Sequence, residues 1–186
     1  MILGVDHADL ARLALAADPL RSPVLAAFLD GERTPNRPDA SGLLAGLTSG
    51  TTREELARAA HDGVLLGLLR GEARMNAAGV TTSGRVILTG GGARSAAYQQ
   101  ILADLTGREV VIADPVDSGE ATARGAAVQA AAVVTGVGVE AMRRAWAPKT
   151  QVVAAPRPGS AGLRDQLLER YSLVADWTGF DGQARR

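Results

Sequence analysis

The chain has 186 residues, 46% apolar and 22% charged, with 20 basic residues balanced by 20 acidic ones. That length supports one domain with a buried core, and the charge balance gives no reason to expect nucleic acid or a membrane surface as partner. Cysteine is absent, which excludes disulfides and thiolate metal sites and fits an expected cytoplasmic location.

Met1 to Asp9 has neither the basic flank nor the apolar core of a signal peptide. Asp6 is placed to cap a helix running to Ala17, with Leu10, Leu13 and Ala14 on one face. Val24 to Leu29 reads as a strand. A polar loop follows, containing Glu32, Arg33, Pro35, Arg37, Pro38 and Asp39. Arg33 and Arg37 are its candidate phosphate contacts; the alternative is an ion pair within the loop, to Glu32 or Asp39. Leu43 to Leu47 reads as a second short strand. Thr52 and Glu55 form a capping box that opens a long helix to Ala78, stopped by Gly79. Gly63, Gly67 and Gly71 recur every four residues and predict a smooth stripe packed closely on a sheet. His61 on this helix is expected to be structural or solvent-facing, and His7 to lie at the surface. Neither has a second metal ligand nearby in sequence.

Val86-Ile87-Leu88 reads as a buried strand that runs into Thr89-Gly90-Gly91-Gly92-Ala93-Arg94-Ser95. Ser95 then opens a helix from Ala96 to Thr106, closed by Gly107. Glu109 to Ile112 is the next strand, turning at Asp114-Pro115. Ser118-Gly119 leads into a helix through Thr135, where Glu120 and Arg124 are spaced to pair. Gly125 to Val139 is uncharged over 15 residues. It is too short for a membrane span of roughly 20 residues and reads instead as a helix buried inside protein. Val139 to Trp146 reads as a short helix, Pro148 to Ser160 as a loop, and Leu163 to Trp177 as a last amphipathic helix. Trp146 and Trp177 are expected to anchor helices in the core. The expected architecture is α/β: one domain over residues 1–177, a frayed tail over 178–186, and a small mixed sheet flanked by helices.

The glycine turn carries the chemistry. A strand, a glycine corner and a helix start bring a bare backbone and a positive helix end up to a phosphate or nucleotide. A Walker loop is excluded, because no Gly-Lys-Ser/Thr follows. Gly90 and Gly92 match the first two glycines of the dinucleotide fingerprint, and Asp114 stands where a ribose-binding acid belongs. Ser95, however, occupies the third glycine position. A glycine turn without any ligand also satisfies the sequence.

The stretch Leu88 to Ser95, followed by Gln100-Ile101-Leu102-Ala103-Asp104-Leu105-Thr106-Gly107, resembles the C-terminal domain of the FGGY carbohydrate kinases, most closely their xylulokinase branch. Gly31-Glu32-Arg33-Thr34-Pro35-Asn36, the segment Gly46-Leu47-Thr48, the helix opened by Thr52-Arg53-Glu54, and Glu120-Ala121-Thr122-Ala123-Arg124-Gly125-Ala126-Ala127 resemble further segments of that family in the same order. The resemblance covers roughly Val5 to Tyr171. It implies the ribonuclease-H-like fold of actin and hexokinase, with ATP and Mg²⁺ in a cleft between two domains and transfer of the γ-phosphoryl group to a sugar hydroxyl. Gly90, Gly91 and Gly92 would then line the nucleotide. Ser95 would lie near the adenine, or simply cap its helix.

The resemblance also implies what is lacking. The family's N-terminal sugar-binding domain and the first part of its C-terminal domain have no counterpart in this sequence. The catalytic aspartate belongs to those parts. Asp39, Asp62, Asp114 and Asp117 match no catalytic position, so no catalytic residue and no metal ligand is assigned. The expectation is therefore a nucleotide-binding piece of a sugar kinase, partnered by ATP or ADP and inactive alone. It is expected to associate with itself or with a complementary kinase fragment, because a divided α/β domain exposes a sheet edge and apolar faces. A dinucleotide-binding fragment and a non-catalytic interaction module are the alternatives.

Overall fold

The structure, a computed structural model, describes residues 3–113 and 120–179. Eleven α- and β-elements follow in chain order: α1 His7–Ala16, β1 Val24–Ala26, β2 Leu43–Ala45, α2 Arg53–Ala77, β3 Val86–Leu88, α3 Ala96–Thr106, β4 Val110–Ala113, α4 Ala121–Thr135, α5 Val139–Ala145, β5 Thr150–Ala154 and α6 Leu163–Ala175. A short 3₁₀ turn, Gly91–Arg94, lies between β3 and α3.

The helix starts are set locally. Asp6 accepts from the Asp9 amide at 2.8 Å and caps α1. At α2 both halves of the capping box form: Thr52 Oγ1 accepts from the Glu55 amide at 3.2 Å, and Glu55 Oε2 from the Thr52 amide at 3.0 Å.

β1 and β2 form an antiparallel pair, separate from a three-stranded sheet of order β3-β4-β5. β3 and β4 are parallel and joined through α3; β5 returns antiparallel on the far side of β4. The β5 strand corrects the reading of residues 148–160 as loop throughout. Its five residues are flanked by prolines, and only pairing with β4 makes them a strand. The antiparallel return also departs from a dinucleotide-binding unit, which continues with a further parallel strand. Asp114 and Asp117, the acids considered after β4, lie outside the described residues, as does 180–186 of the expected tail.

One core unites α1, α2, α3, α6 and the strands they cover. Ile101, Leu105, Val110, Leu65 and Tyr171 are its large, almost fully buried members. The glycine stripe of α2 packs on a strand, as expected, at its first position and against helix α6 at its second. A Cβ on Gly63 would lie 2.5 Å from the Leu25 carbonyl oxygen of β1, and one on Gly67 would lie 3.2 Å from the Tyr171 hydroxyl of α6. At Gly71 nothing stands within 4 Å. The stripe therefore gives a graded test. Gly63→Ala is expected to lose about 1–3 kcal/mol through forced backbone displacement. Gly71→Ala is expected to gain up to about 1 kcal/mol from helix propensity. Urea unfolding of both variants checks the opposite signs.

Three expectations of burial fail: β3, read as a buried strand, leaves Ile87 65% exposed. Trp146 and Trp177 are 44% and 47% exposed, so neither anchors a helix in the core. The uncharged part of α4, from Gly125 on, is not enclosed either. Val128 and Ala132 alone are buried along it, against Met142 of α5 in a small second cluster. Arg124 donates to the Trp146 carbonyl and ties α4 to the end of α5.

Candidate functional site

The corner between β3 and α3 is built by backbone. Gly90 holds φ +78°, a left-handed value that any side chain would strain. The bonds from Ala93 N to Gly90 O (3.1 Å) and from Ser95 N to Gly92 O (3.0 Å) close the 3₁₀ turn. The amides of Gly91 and Gly92 take no part in these two bonds. Ser95 then caps α3, its Oγ accepting from the Tyr98 amide at 3.3 Å. That bond uses an oxygen lone pair and leaves the hydroxyl proton free to donate. Gln99 fastens the turn to the helix, donating from Nε2 to the Ala93 carbonyl at 2.7 Å.

The corner is open. A Cβ on Gly90 or Gly91 would meet nothing within 4 Å, and one on Gly92 would meet only the Tyr98 ring, at 3.6 Å. No side chain of the described residues walls it in. Ala93 is buried beneath it, while Arg94 stands exposed at the end of the turn. Sequence reasoning passed over Arg94, although it sits inside the glycine motif as an exposed cation at the end of the turn. Gly90, Gly91, Gly92 and Ser95 thus lie together in one turn, with Gly91 exposed and the other three half-buried.

The other sequence candidates lie elsewhere. Arg37 is half-buried and structural, which corrects its reading as an exposed phosphate contact. Its guanidinium donates to the carbonyls of Ala175 (2.5 Å) and Trp177 (2.6 Å) at the C-terminal end of α6, and it stacks 5.5 Å above the Phe28 ring. A helix C-terminus presents unpaired carbonyls and negative potential, so a cation is favoured there. Arg33 is exposed, and its amide and that of Thr34 are held by Glu32 Oε1 at 2.7 and 3.1 Å. Asp39 is exposed. His7 is at the surface. His61 is buried and structural: Nδ1 lies 2.9 Å from the Ala57 carbonyl, and its ring is 4.8 Å from that of Tyr98. Burial holds its pKa below the ordinary value; the bond to Ala57 opposes this and the Arg58 charge adds to it.

Asp62 is buried and taken up by Arg58, whose Nε lies 2.9 Å from both carboxylate oxygens. Burial pushes its pKa up to about 6, against the opposing charges of Arg58 and Arg170 and the Arg58 hydrogen bond. The folded value thus exceeds the unfolded one of 3.8. Between about pH 4 and 6 the folded chain holds a proton that the unfolded chain has released, so this group's contribution to stability rises as pH falls through that window. The expected result is that wild type gains on Asp62→Asn as the pH is lowered from 7 to 5, read from urea midpoints at the two pH values.

Among the described residues no three His, Asp or Glu side chains converge on one point, so these residues offer no ligand set for a divalent cation. No described helix is long and apolar enough to cross a membrane.

Comparison with known proteins fits this geometry. Residues 5–134 match the description "FGGY family of carbohydrate kinases, C-terminal domain". The chain is 44% identical over 131 residues to a xylulose kinase of Streptomyces coelicolor, covering 70% of this chain and 27% of that protein. It is 42% identical over 159 residues to a xylulose kinase of Streptomyces rubiginosus, covering 86% of this chain and 32% of that protein. The crystal structure of xylulose kinase from Bifidobacterium adolescentis superposes with a TM-score of 0.68 at 34% identity, over 92% of this chain and 32% of that one. The chain therefore spans about a third or less of the length of these relatives. Its small mixed sheet with flanking helices is part of the actin- and hexokinase-like fold of these sugar kinases. The match spans well over half the chain and includes the glycine corner, and the chain belongs to the FGGY family of carbohydrate kinases, carrying sequence of its C-terminal domain.

Proposed function

We propose that this chain is the nucleotide-binding part of an ATP-dependent sugar kinase of the xylulokinase kind, and that it phosphorylates no sugar without the remaining part of such an enzyme. The reaction is transfer of the γ-phosphoryl group of ATP to the 5-hydroxyl of D-xylulose, releasing ADP. A cytoplasmic location goes with this reading, in keeping with a sequence without cysteine.

The observation that carries the reading is the unobstructed corner at Gly90, Gly91 and Gly92. A flat ligand can lie against it without displacing a side chain. In this reading the adenosine and α-phosphate of ATP rest there. The Ser95 hydroxyl keeps its cap on α3 and turns its proton towards the adenine. Arg94 places positive charge at the phosphate side, and the N-terminus of α3 adds its dipole. Mg²⁺, when bound, would neutralise charge on the phosphates. The sugar site and the base that takes the sugar hydroxyl proton lie in the part of the relatives that has no match here. Phosphoryl transfer depends on positioning and electrostatics brought together around one phosphate, and a single wall of the site cannot supply them.

Thermal shift separates ATP from a dinucleotide. Millimolar ATP or ADP is expected to raise Tm by a few degrees, as mass action requires for a ligand of the native state alone. NAD at the same concentration is expected to leave it unchanged. A shift with NAD and none with ATP would reverse the assignment.

A further inference from the structure

Three consecutive glycines are a poor place to keep one shape, because glycine loses more conformational freedom on folding than any other residue. The turn Gly91–Arg94 is closed by the bonds from Ala93 N to Gly90 O and from Ser95 N to Gly92 O. Bonds of this 3₁₀ type have poorer geometry than those of an α-helix. Further constraint comes from two side chains in the first turn of α3.

Gln99 donates from Nε2 to the Ala93 carbonyl at 2.7 Å, reaching back over six residues. Among the described residues this is the one side-chain hydrogen bond to the backbone of 90–94. Tyr98, its neighbour, acts twice. Its amide donates to Ser95 Oγ at 3.3 Å. Its ring supplies the nearest atoms to a Cβ built on Gly92, with Cδ2 at 3.6 Å, whereas Gly90 and Gly91 have no such neighbour within 4 Å. Behind the ring stands His61 of α2, its centroid 4.8 Å from that of Tyr98 and its residue only 5% exposed. The turn is thus tied through α3 to a buried side chain of α2, while Gly91 stays exposed.

We infer that Tyr98 and Gln99 are positioning residues for the nucleotide: they hold the glycine turn in its binding shape before the ligand arrives. The inference rests on the reading of that corner as a wall of the nucleotide site. A loose turn has to be ordered at each binding event, and the apparent affinity falls by the fraction of time the turn spends in the competent shape.

The test takes two measurements on the 186-residue chain: ADP affinity by isothermal titration, and mobility of the Gly91 and Gly92 amides by NMR relaxation without ligand. Gln99→Met keeps the length of the side chain and removes its donor. It is expected to raise Kd about fivefold, as for a turn that is competent about a fifth of the time, and to make both amides more mobile. Tyr98→Leu is expected to have the same two effects, and Tyr98→Phe, which keeps the ring, to match wild type in both. Leu167→Val weakens the core at α6 and is expected to change neither, which separates positioning from a general loss of stability. An unchanged Kd in Gln99→Met and Tyr98→Leu, a turn as rigid in both as in wild type, or an equal rise of Kd in Leu167→Val would overturn the positioning role alone. Failure of the wild-type chain to bind ADP would overturn the nucleotide reading, and the positioning role with it.

Discussion

Gly91→Val is expected to abolish nucleotide binding while leaving the fold at wild-type stability. The two halves of that expectation come from one geometric fact. Nothing stands within 4 Å of a Cβ built at Gly91, and its φ is not left-handed, so the chain itself has no objection to a side chain there. A valine would project into the space assigned to the nucleotide. Isothermal titration with ADP should show at least a tenfold loss of affinity, which corresponds to about 1.4 kcal/mol or more. The urea midpoint should stay within about 0.5 kcal/mol of wild type, as for a surface change. Gly90→Val makes a less clean probe, because the left-handed backbone at Gly90 adds strain to any loss of contact.

The second large effect is on activity. The isolated chain is expected to give no D-xylulose-dependent turnover of ATP above background. Adding the complementary part of a xylulose kinase is expected to restore ADP release coupled to sugar phosphorylation, by several orders of magnitude. The reasoning is that catalysis here is positioning: base, metal, sugar and nucleotide must be held around one phosphoryl group, and most of the effective molarity is lost when they are on separate chains. A coupled assay with and without the second chain reads the difference directly. Gly91→Val in the reconstituted enzyme should remove the restored activity, whereas Gly71→Ala, remote from the corner along α2, should not.

What the sequence reveals follows the range of the interactions. Asp6, the Thr52–Glu55 box and the Ser95 cap each act within three residues, and all appear where spacing places them. The strand–glycine–helix corner is legible for the same reason: β3, Gly90 and α3 are consecutive, and the geometry is dictated by residues that touch one another. Elements defined by distant partners are not legible. β5 exists because Thr150–Ala154 pairs with β4, some forty residues earlier, and flanking prolines hide it. Arg37 reads as a loop cation until its guanidinium is found on carbonyls at the far end of α6. Trp146 and Trp177 look like core by composition, but no element packs over them fully. α4 is the instructive case. Its composition asks for burial, yet among its residues only Val128 and Ala132 are buried, and Val133 and Val134 stand exposed.

The candidate site divides in the same way. The glycines and Ser95 are readable from the motif, and the structure brings them together in the turn between β3 and α3. Arg94 belongs to the same motif and is overlooked because an arginine after glycines has no signature of its own.

The most direct test of the account is backbone amide NMR of the 186-residue chain titrated with ADP. The account predicts that the largest shifts fall on Gly90, Gly91, Gly92, Arg94 and Ser95, with α6 and the 31–40 loop unmoved. Shifts centred elsewhere, such as on Arg33 and Arg37 or the 156–162 loop, or a glycine corner unchanged at saturating ADP, would contradict it.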